Sequence, residues 1–126
     1  MRPRALVADD VAAMQTSLRL ALEDAGYDVA CVGTGKDALN RLRSDRFDVA
    51  VLDLWMPEGD GLSVLKTVRK EQPQLRIFVV TGGGPRMPLE AAALIANVWG
   101  AERVIIKPFE DRDLIAAINR PPPARS

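Results

Sequence analysis

The chain has 126 residues, enough for one domain whose core buries about two-thirds of the surface of the unfolded chain. Its 17 basic and 17 acidic residues cancel, which argues against the basic face of a nucleic-acid or membrane-surface binder. Histidine is absent, so phosphoryl chemistry that needs a histidine must obtain it from a partner.

The single cysteine and the start of the chain bear on its compartment. Cys31 lies in an apolar run, cannot form an internal disulfide and is predicted to be a small buried core residue. The first residues lack the apolar region of a signal peptide, and no apolar run approaches the ~18 residues of a membrane span. We therefore expect a soluble protein of the cytoplasm.

The first half of the chain predicts three strands and two helices. An apolar run over 5–8 ends in Asp9-Asp10 and precedes a helix. The later elements are a strand over 27–32, a turn at 33–35, a short helix around 38–42 and a third strand opened by Asp48. The first helix has a predicted buried stripe of Met14, Leu18 and Leu22, with Gly26 as its stop.

The third strand leads into Asp53, after which Pro57, Gly59 and Gly61 predict a loop. The second half then predicts a helix around 62–68, a strand over 77–80 ending at Thr81, and a glycine-rich loop. A helix from Pro88 to Gly100 follows, then a strand over 104–106 ending at Lys107, and a last helix capped by Glu110 or Asp111.

Five apolar strands alternating with five helices predict an α/β fold with a doubly wound parallel sheet covered on both faces. Ligands of such sheets lie outside the carboxyl ends of the strands, where strand order reverses. Strands one, three, four and five each end in polar residues there, namely Asp9 with Asp10, Asp53, Thr81 and Lys107.

These side chains together suit phosphoryl chemistry. Close carboxylates destabilise one another's charged forms and need a cation, and hard oxygen ligands suit Mg²⁺. An Asp carboxylate also attacks phosphorus as a nucleophile, while a lysine and a hydroxyl stabilise phosphoryl oxygens. Each residue alone has an ordinary alternative: Asp9 and Asp10 as helix caps, Asp53 as a turn former or the cap of the next helix, Thr81 as a strand-end residue that caps a turn, and Lys107 as a solvated lysine. Only their joint placement favours the functional interpretation.

The ordered motifs resemble the receiver domain of two-component response regulators over roughly residues 5–119. The motifs are Asp9-Asp10, Asp53 with Met56-Pro57 and Asp60-Gly61, Thr81, and Lys107-Pro108-Phe109. The resemblance implies the flavodoxin-like strand order 2-1-3-4-5. It also implies a cis Lys107-Pro108 bond.

By the same resemblance, Asp53 accepts a phosphoryl group, with Thr81 and Lys107 assisting. Mg²⁺ is bound by Asp10 directly, by Asp9 through water, by Asp53, and by the backbone carbonyl of Trp55. The implied donor is a sensor histidine kinase or a histidine phosphotransfer protein. The domain would catalyse only its own phosphorylation and dephosphorylation, so it is not expected to be an enzyme in the usual sense.

Three features depart from the usual receiver pattern. Val104 occupies a position three residues before Lys107 that is usually aromatic, the loop around 82–87 is long, and Trp55 is large for its place two residues past the acceptor. We expect the signal to leave through the face of helix 4, strand 5 and helix 5 and through the loop Gly82–Met87.

Three rivals are less favoured. A pseudo-receiver that only binds a partner typically lacks at least one of the five polar residues, which are all present here. A flavodoxin-like flavin binder needs a phosphate-cradling loop where Asp9 and Asp10 would repel a phosphate. A nucleotide enzyme needs a glycine-rich phosphate motif that the chain lacks.

The expected organisation is a receiver domain over 1–120 and a Pro-rich tail or truncated linker over 121–126. The signal then passes either to a downstream target protein or to an output domain missing from this sequence. We expect no direct binding of nucleic acid by this domain and no membrane contact.

Overall fold

The computed structural model of the chain describes residues 2–82 and 89–121. Strands and helices alternate through these ranges in the order β1 Arg4–Ala8, α1 Ala12–Asp24, β2 Asp28–Val32, α2 Gly35–Ser44, β3 Val49–Asp53, α3 Gly61–Glu71, β4 Arg76–Thr81, α4 Leu89–Val98, β5 Arg103–Ile106 and α5 Asp111–Asn119.

The five strands form one parallel sheet in the order β2-β1-β3-β4-β5, which confirms the predicted topology. β3 lies at the centre and is buried along its whole length. Its neighbours are in register with Ala8 opposite Leu52 and Asp53 opposite Val80, so the carboxyl ends of the strands meet at one edge.

Two hydrophobic cores cover the two faces of the sheet, because alternate strand residues point to opposite sides. One core packs strand residues such as Leu52 and Ile77 against α2 and α3. The other packs strand residues such as Val51 and Phe78 against α1 and α5. The sheet is therefore fixed from both sides, and its carboxyl edge becomes a rigid base for side chains.

Element boundaries differ from the sequence prediction by a residue or two. β2 and β3 begin after Tyr27 and Asp48, and Asp48 instead accepts a hydrogen bond from the Arg4 N–H at 2.8 Å. Met14 is only partly buried beside the buried Leu18 and Leu22. The predicted helix start at Pro88 lies outside the described residues.

Cys31 was expected to be a small buried core residue, and the structure instead places it at the margin of a core, partly buried. It is half-buried, because β2 is an edge strand with a neighbour on one side only. Burial raises the pKa of its thiol. In the described ranges, no helix combines the length and apolar character needed to cross a bilayer.

Candidate functional site

The register of the sheet brings the predicted polar side chains to its carboxyl edge. Asp9 follows β1, Asp53 ends β3 beside it, and Thr81 ends β4 opposite Ile106 of β5, which Lys107 follows. The backbone N–H of Lys107 donates to the carbonyl of Thr81 at 2.8 Å. The ends of β4 and β5 are therefore tied together at the site.

Asp9 is buried with both carboxylate oxygens engaged. Its Oδ1 accepts from the backbone N–H of Val11 at 2.9 Å, and its Oδ2 accepts from Lys107 Nζ at 3.1 Å. Its own N–H donates to the carbonyl of Val32 at the end of β2, at 3.1 Å. Asp9 thus connects β1, β2 and the lysine that follows β5.

Asp53 is also buried, with 5% of its surface exposed. Its Oδ1 accepts from the backbone N–H of Trp55 at 3.1 Å and its Oδ2 from Lys107 Nζ at 3.2 Å. Burial raises the pKa of this carboxyl, and the charge of Asp9 raises it further, against the opposing Trp55 and Lys107 contacts. The fold therefore holds this carboxylate at an energetic cost.

Lys107 is the cation between these two carboxylates. Burial by itself lowers the pKa of its ammonium, but the facing charges of Asp53 and Asp9 outweigh burial and raise it. The ammonium therefore stays protonated. The peptide bond to Pro108 is cis, as the resemblance implied.

Asp10 is exposed, and its carboxylate reaches the same site. One oxygen from each of Asp9, Asp10 and Asp53 lies within 4.8 Å of the other two. Neither residue is the N-cap of α1, which is Val11 without a side-chain cap bond, but Asp9 Oδ1 accepts from the Val11 N–H at 2.9 Å. Asp9 therefore borders both the start of the helix and the site, whereas Asp10 belongs to the carboxylate cluster of the site.

The charges of this cluster fit a divalent cation. Three carboxylates against one ammonium leave two uncompensated negative charges within a small volume. All the carboxylate atoms are hard oxygen ligands, which Mg²⁺ prefers. The residues present therefore suit the metal that the sequence predicted.

Thr81 and Trp55 flank the cluster differently. Thr81 is fully buried at the end of β4. Trp55 keeps 39% of its surface exposed while its backbone holds Asp53. Both predicted site residues are therefore at the carboxyl edge beside Asp53.

The loop after Asp53 is held by backbone contacts that the sequence did not reveal. The N–H groups of Gly35 and Lys36, at the start of α2, donate to the carbonyls of Pro57 and Glu58 at 3.2 and 2.8 Å. A Cβ on Gly35 would lie 1.6 Å from the carbonyl oxygen of Gly59. These contacts form because the start of α2 packs against the loop after Asp53 in the folded chain. In the sequence, only the glycines indicated that the backbone could come so close.

Gln15 is a second residue that sequence reasoning missed. Its side-chain Nε2 donates to the carbonyl of Asp9 at 2.6 Å and to that of Val32 at 3.1 Å. A polar residue one turn into an amphipathic helix carries no distinctive signal, so only the structure reveals this contact.

The structure describes one of the two predicted output elements, β5, and only the first residue of the other. Of the loop Gly82–Met87, all but Gly82 lies outside the described residues. Val104 is partly buried and packs against the core that contains α2 and α3.

The chain matches known proteins over almost its whole length. The profile of the response regulator receiver domain matches residues 5–119. The chain is 31% identical to the chemotaxis protein CheY of Thermotoga maritima, covering 95% of this chain and 98% of that protein. It is 39% identical to the response regulator MprA of Mycolicibacterium vanbaalenii over 92% of this chain, but spans only 48% of that relative.

A solved structure shows the same architecture. A CheY-like receiver domain protein from Methanospirillum hungatei superposes with a TM-score of 0.85 at 30% identity, covering 94% of this chain and 91% of that one. The chain spans about half the length of several other curated response regulators that it matches. Together with the strand order and the carboxylate cluster, these matches show that the chain belongs to the receiver domain family of two-component response regulators.

Proposed function

We propose that this receiver domain is a signalling switch that accepts a phosphoryl group on Asp53 from a phosphohistidine of a partner protein. The observation that carries this proposal is the contact of one ammonium, Lys107 Nζ, with both Asp9 and Asp53, beside which Asp10 brings a third carboxylate. Asp53 also accepts the Trp55 N–H, as a turn-forming aspartate does, but its contact with Lys107 and its closeness to two further carboxylates support the proposed role as a nucleophile.

The proposed step transfers a phosphoryl group from the partner's phosphohistidine to Asp53, with atoms and charge conserved. A carboxylate oxygen of Asp53 forms a bond to phosphorus as the bond from phosphorus to the partner's imidazole nitrogen breaks, and that nitrogen leaves with the bonding electrons. These 126 residues hold no histidine, and the proposed donor of the phosphohistidine is a sensor histidine kinase or a histidine phosphotransfer protein. Oδ2 of Asp53 now contacts Lys107, whereas Oδ1 is held by the Trp55 N–H.

Asp9, Asp10 and Asp53 would hold Mg²⁺, with the carbonyl of Trp55 as a proposed further ligand. When bound, the metal supplies positive charge for the phosphoryl oxygens and offsets repulsion among the carboxylates. The finer division, with Asp10 as a direct ligand and Asp9 acting through water, is part of the proposal.

Lys107 and Thr81 complete the proposed machinery. The raised pKa of Lys107 keeps its ammonium charged, so it can follow the phosphoryl group with a charge-assisted hydrogen bond. The Thr81 hydroxyl, buried at the end of β4, would donate to another phosphoryl oxygen. These groups catalyse only the domain's own phosphorylation and dephosphorylation.

An intact-mass measurement tests the acceptor. Incubation with a small phosphodonor should add the mass of one phosphoryl group in the presence of Mg²⁺ and much less without it. Asp53→Asn removes the nucleophile but keeps an oxygen for the Trp55 N–H, so it should fold and remain unlabelled. Labelling of a well-folded Asp53→Asn variant would move the acceptor elsewhere.

We further propose that the signal reaches partners through α4, β5 and α5 and through the loop Gly82–Met87. Exposed apolar side chains on α4 and β5, among them Leu94, Val98 and Ile106, suit a protein partner. Val104 is β-branched and has no ring to reorient. The inward turn of an aromatic side chain on β5 is therefore not the proposed route. The loop begins next to Thr81, and its three glycines allow large backbone changes at little steric cost.

Hydrogen exchange with and without beryllofluoride, a phosphoryl mimic, tests this route. We expect protection to change more over residues 82–88 than in β5. Unchanged protection of the loop, together with a clear change at Val104, would show that β5 carries the switch.

The remaining parts of the proposal concern the setting of the domain. Residues 1–120 would form the receiver, and 121–126 a tail or a linker to an output domain. The receptor of the signal is either a separate target protein or such an output domain, consistent with relatives about twice as long. A histidine-kinase donor implies a location in the cytoplasm, and the balanced charge implies no direct contact of this domain with nucleic acid or membrane.

A further inference from the structure

Asp10 differs from the other carboxylates of the site in what holds it. In the ranges 2–82 and 89–121, no side chain or backbone group donates a hydrogen bond to its carboxylate, whereas Asp9 and Asp53 each accept two. Asp10 is also exposed. The position of its carboxylate therefore depends on the backbone from which it projects.

The peptide joining Asp9 to Asp10 is held by one side chain of α1. The carbonyl of this peptide accepts from Gln15 Nε2 at 2.6 Å, and the second amide proton of Gln15 reaches the carbonyl of Val32 at 3.1 Å. The Asp9 N–H donates to the same Val32 carbonyl at 3.1 Å. The ends of β1 and β2 and the second turn of α1 thus converge on one amide group.

The surroundings leave room for this amide and keep it in place. Gly33 follows β2 at this point, and a Cβ there would lie 3.6 Å from Gln15 Nε2. The backbone carbonyl of Gln15 faces the thiol of Cys31, whose Sγ lies 3.9 Å from it, so this part of α1 also contacts β2. Gln15 is half-buried, so its bonds compete with water less than those of an exposed amide would.

We propose that Gln15 is a positioning residue for the metal site, which orients the Asp9–Asp10 peptide so that the Asp10 carboxylate faces Asp53. This inference rests on the proposed binding of Mg²⁺ by these carboxylates. Residues that hold the ligands of a metal typically contribute ten- to a hundredfold to its affinity (roughly, across known sites). Rotation of the Asp9–Asp10 peptide would move the Asp10 carboxylate away from its two neighbours.

The variant Gln15→Met tests this role, because methionine is equally long and unbranched but cannot donate. Gln72→Met is a matched control: Gln72 Nε2 also donates to a carbonyl at 2.6 Å, that of Leu42, and Gln72 is likewise half-buried. Gln72 lies between α3 and β4, at the amino edge of the sheet and away from the carboxylates. Loss of hydrogen bonding should lower Tm by about 4 °C in Gln72→Met, which loses one bond, and by more in Gln15→Met, which loses two.

The two variants should separate in metal binding. Calorimetric titration should show Mg²⁺ affinity about tenfold weaker in Gln15→Met and unchanged in Gln72→Met. In the metal-free protein, the amides of Asp9 and Val11, which donate to the Val32 carbonyl and to Asp9 Oδ1, should exchange about tenfold faster in Gln15→Met only. A merely structural glutamine would lower Tm without moving either quantity.

Each outcome decides a different statement. Wild-type Mg²⁺ affinity in Gln15→Met, with Tm lowered at least as far as in Gln72→Met, would overturn the positioning role. Absence of Mg²⁺ binding by the wild type would overturn the proposed metal site instead. In that case the exchange rates in the metal-free protein still decide whether Gln15 fixes the Asp9–Asp10 peptide, and unchanged rates would refute it.

Discussion

The approach of α3 to the acceptor strand should make Gly61 intolerant of any side chain. An ideal Cβ on Gly61 would lie 2.1 Å from the carbonyl oxygen of Asp53 and 3.0 Å from Cα of Leu54. The first distance is about 1.3 Å shorter than the 3.4 Å at which ordinary contacts begin. Both obstacles are backbone atoms, so no flexible side chain can yield.

The strain in Gly61→Ala cannot be relieved without moving the start of α3 or the end of β3. The Gly61 N–H donates to the carbonyl of Leu54 at 3.0 Å, and separation of the two segments would weaken this bond. Overpacking costs roughly 1–3 kcal/mol, and a lost hydrogen bond about 1 kcal/mol more. We expect the free energy of unfolding to fall by about 2–4 kcal/mol.

The same displacement should also slow phosphorylation. A misplacement of about 1 Å can cost a hundredfold in a positioned reaction, so a loss of at least about tenfold in labelling rate is expected. Urea unfolding measures the first quantity and intact mass after incubation with a small phosphodonor measures the second.

Gly33→Ala is the control for this experiment. A Cβ on Gly33 would meet no atom closer than the Gln15 side chain at 3.6 Å, although the residue also borders the site. Its stability should stay within about 0.5 kcal/mol of wild type. Wild-type stability and labelling rate in Gly61→Ala would refute the argument from close approach.

Three further variants test the charges and one docking surface. Asp53→Asn should stabilise the metal-free protein at neutral pH, because burial raises the pKa of this carboxyl and so penalises its ionised form. In a thermal-unfolding series this advantage should shrink as the pH falls through that raised pKa, where the wild-type carboxyl takes up its proton; a growing advantage would contradict it. Asp10→Ala should weaken Mg²⁺ binding by more than about tenfold in a calorimetric titration, and equal affinities would remove Asp10 from the proposed ligands. Leu20, which is 58% exposed on α1, is a candidate contact of the kinase, so Leu20→Lys should slow transfer from the cognate kinase but not from a small phosphodonor. The control is Leu94→Lys, at a leucine 65% exposed on α4, and a Leu20→Lys variant slow with both donors would make the residue structural.

The strands and their polar ends were predictable because one local pattern specifies both. A run such as Val49–Leu52 is apolar on every residue, as a strand buried on both faces requires, and Asp53 interrupts it where the sheet ends. The strand order was not in that pattern. It came from the resemblance to receivers, and the structure confirms it.

The supports of the site were not predictable from local patterns. The contact between Gly35 and Gly59 joins residues far apart in sequence, and any glycine in a turn would look the same. The half-burial of Cys31 follows from the place of β2 at an edge, which its apolar run does not reveal. For α5 the sequence left Glu110 and Asp111 as alternative caps. In the structure Glu110 is the N-cap, and its N–H donates to Oδ2 of Asp113 at 3.3 Å.

The two edges of the sheet have opposite electrostatic requirements. At the carboxyl edge, three carboxylates crowd around one lysine, an arrangement that costs stability until a cation or a phosphoryl group changes the charge. At the amino edge, arginines donate to carbonyls at the ends of helices, where the helix dipole is negative. Arg76 Nη1 reaches Ile118 of α5 at 2.8 Å, and Arg2 Nη2 reaches Glu23 of α1 at 3.1 Å.

This separation explains how a domain of this size can hold a destabilising cluster. The bonds of Arg76, which also pairs with Glu102 at 2.6 Å, stabilise the fold in every state of the site because they lie at the opposite edge. The carboxylates at Asp9 and Asp53 are then free to be selected for chemistry rather than for stability. A substitution at the amino edge should therefore lower stability in the metal-free and metal-bound protein alike, whereas one at the carboxyl edge should change the difference between those two states.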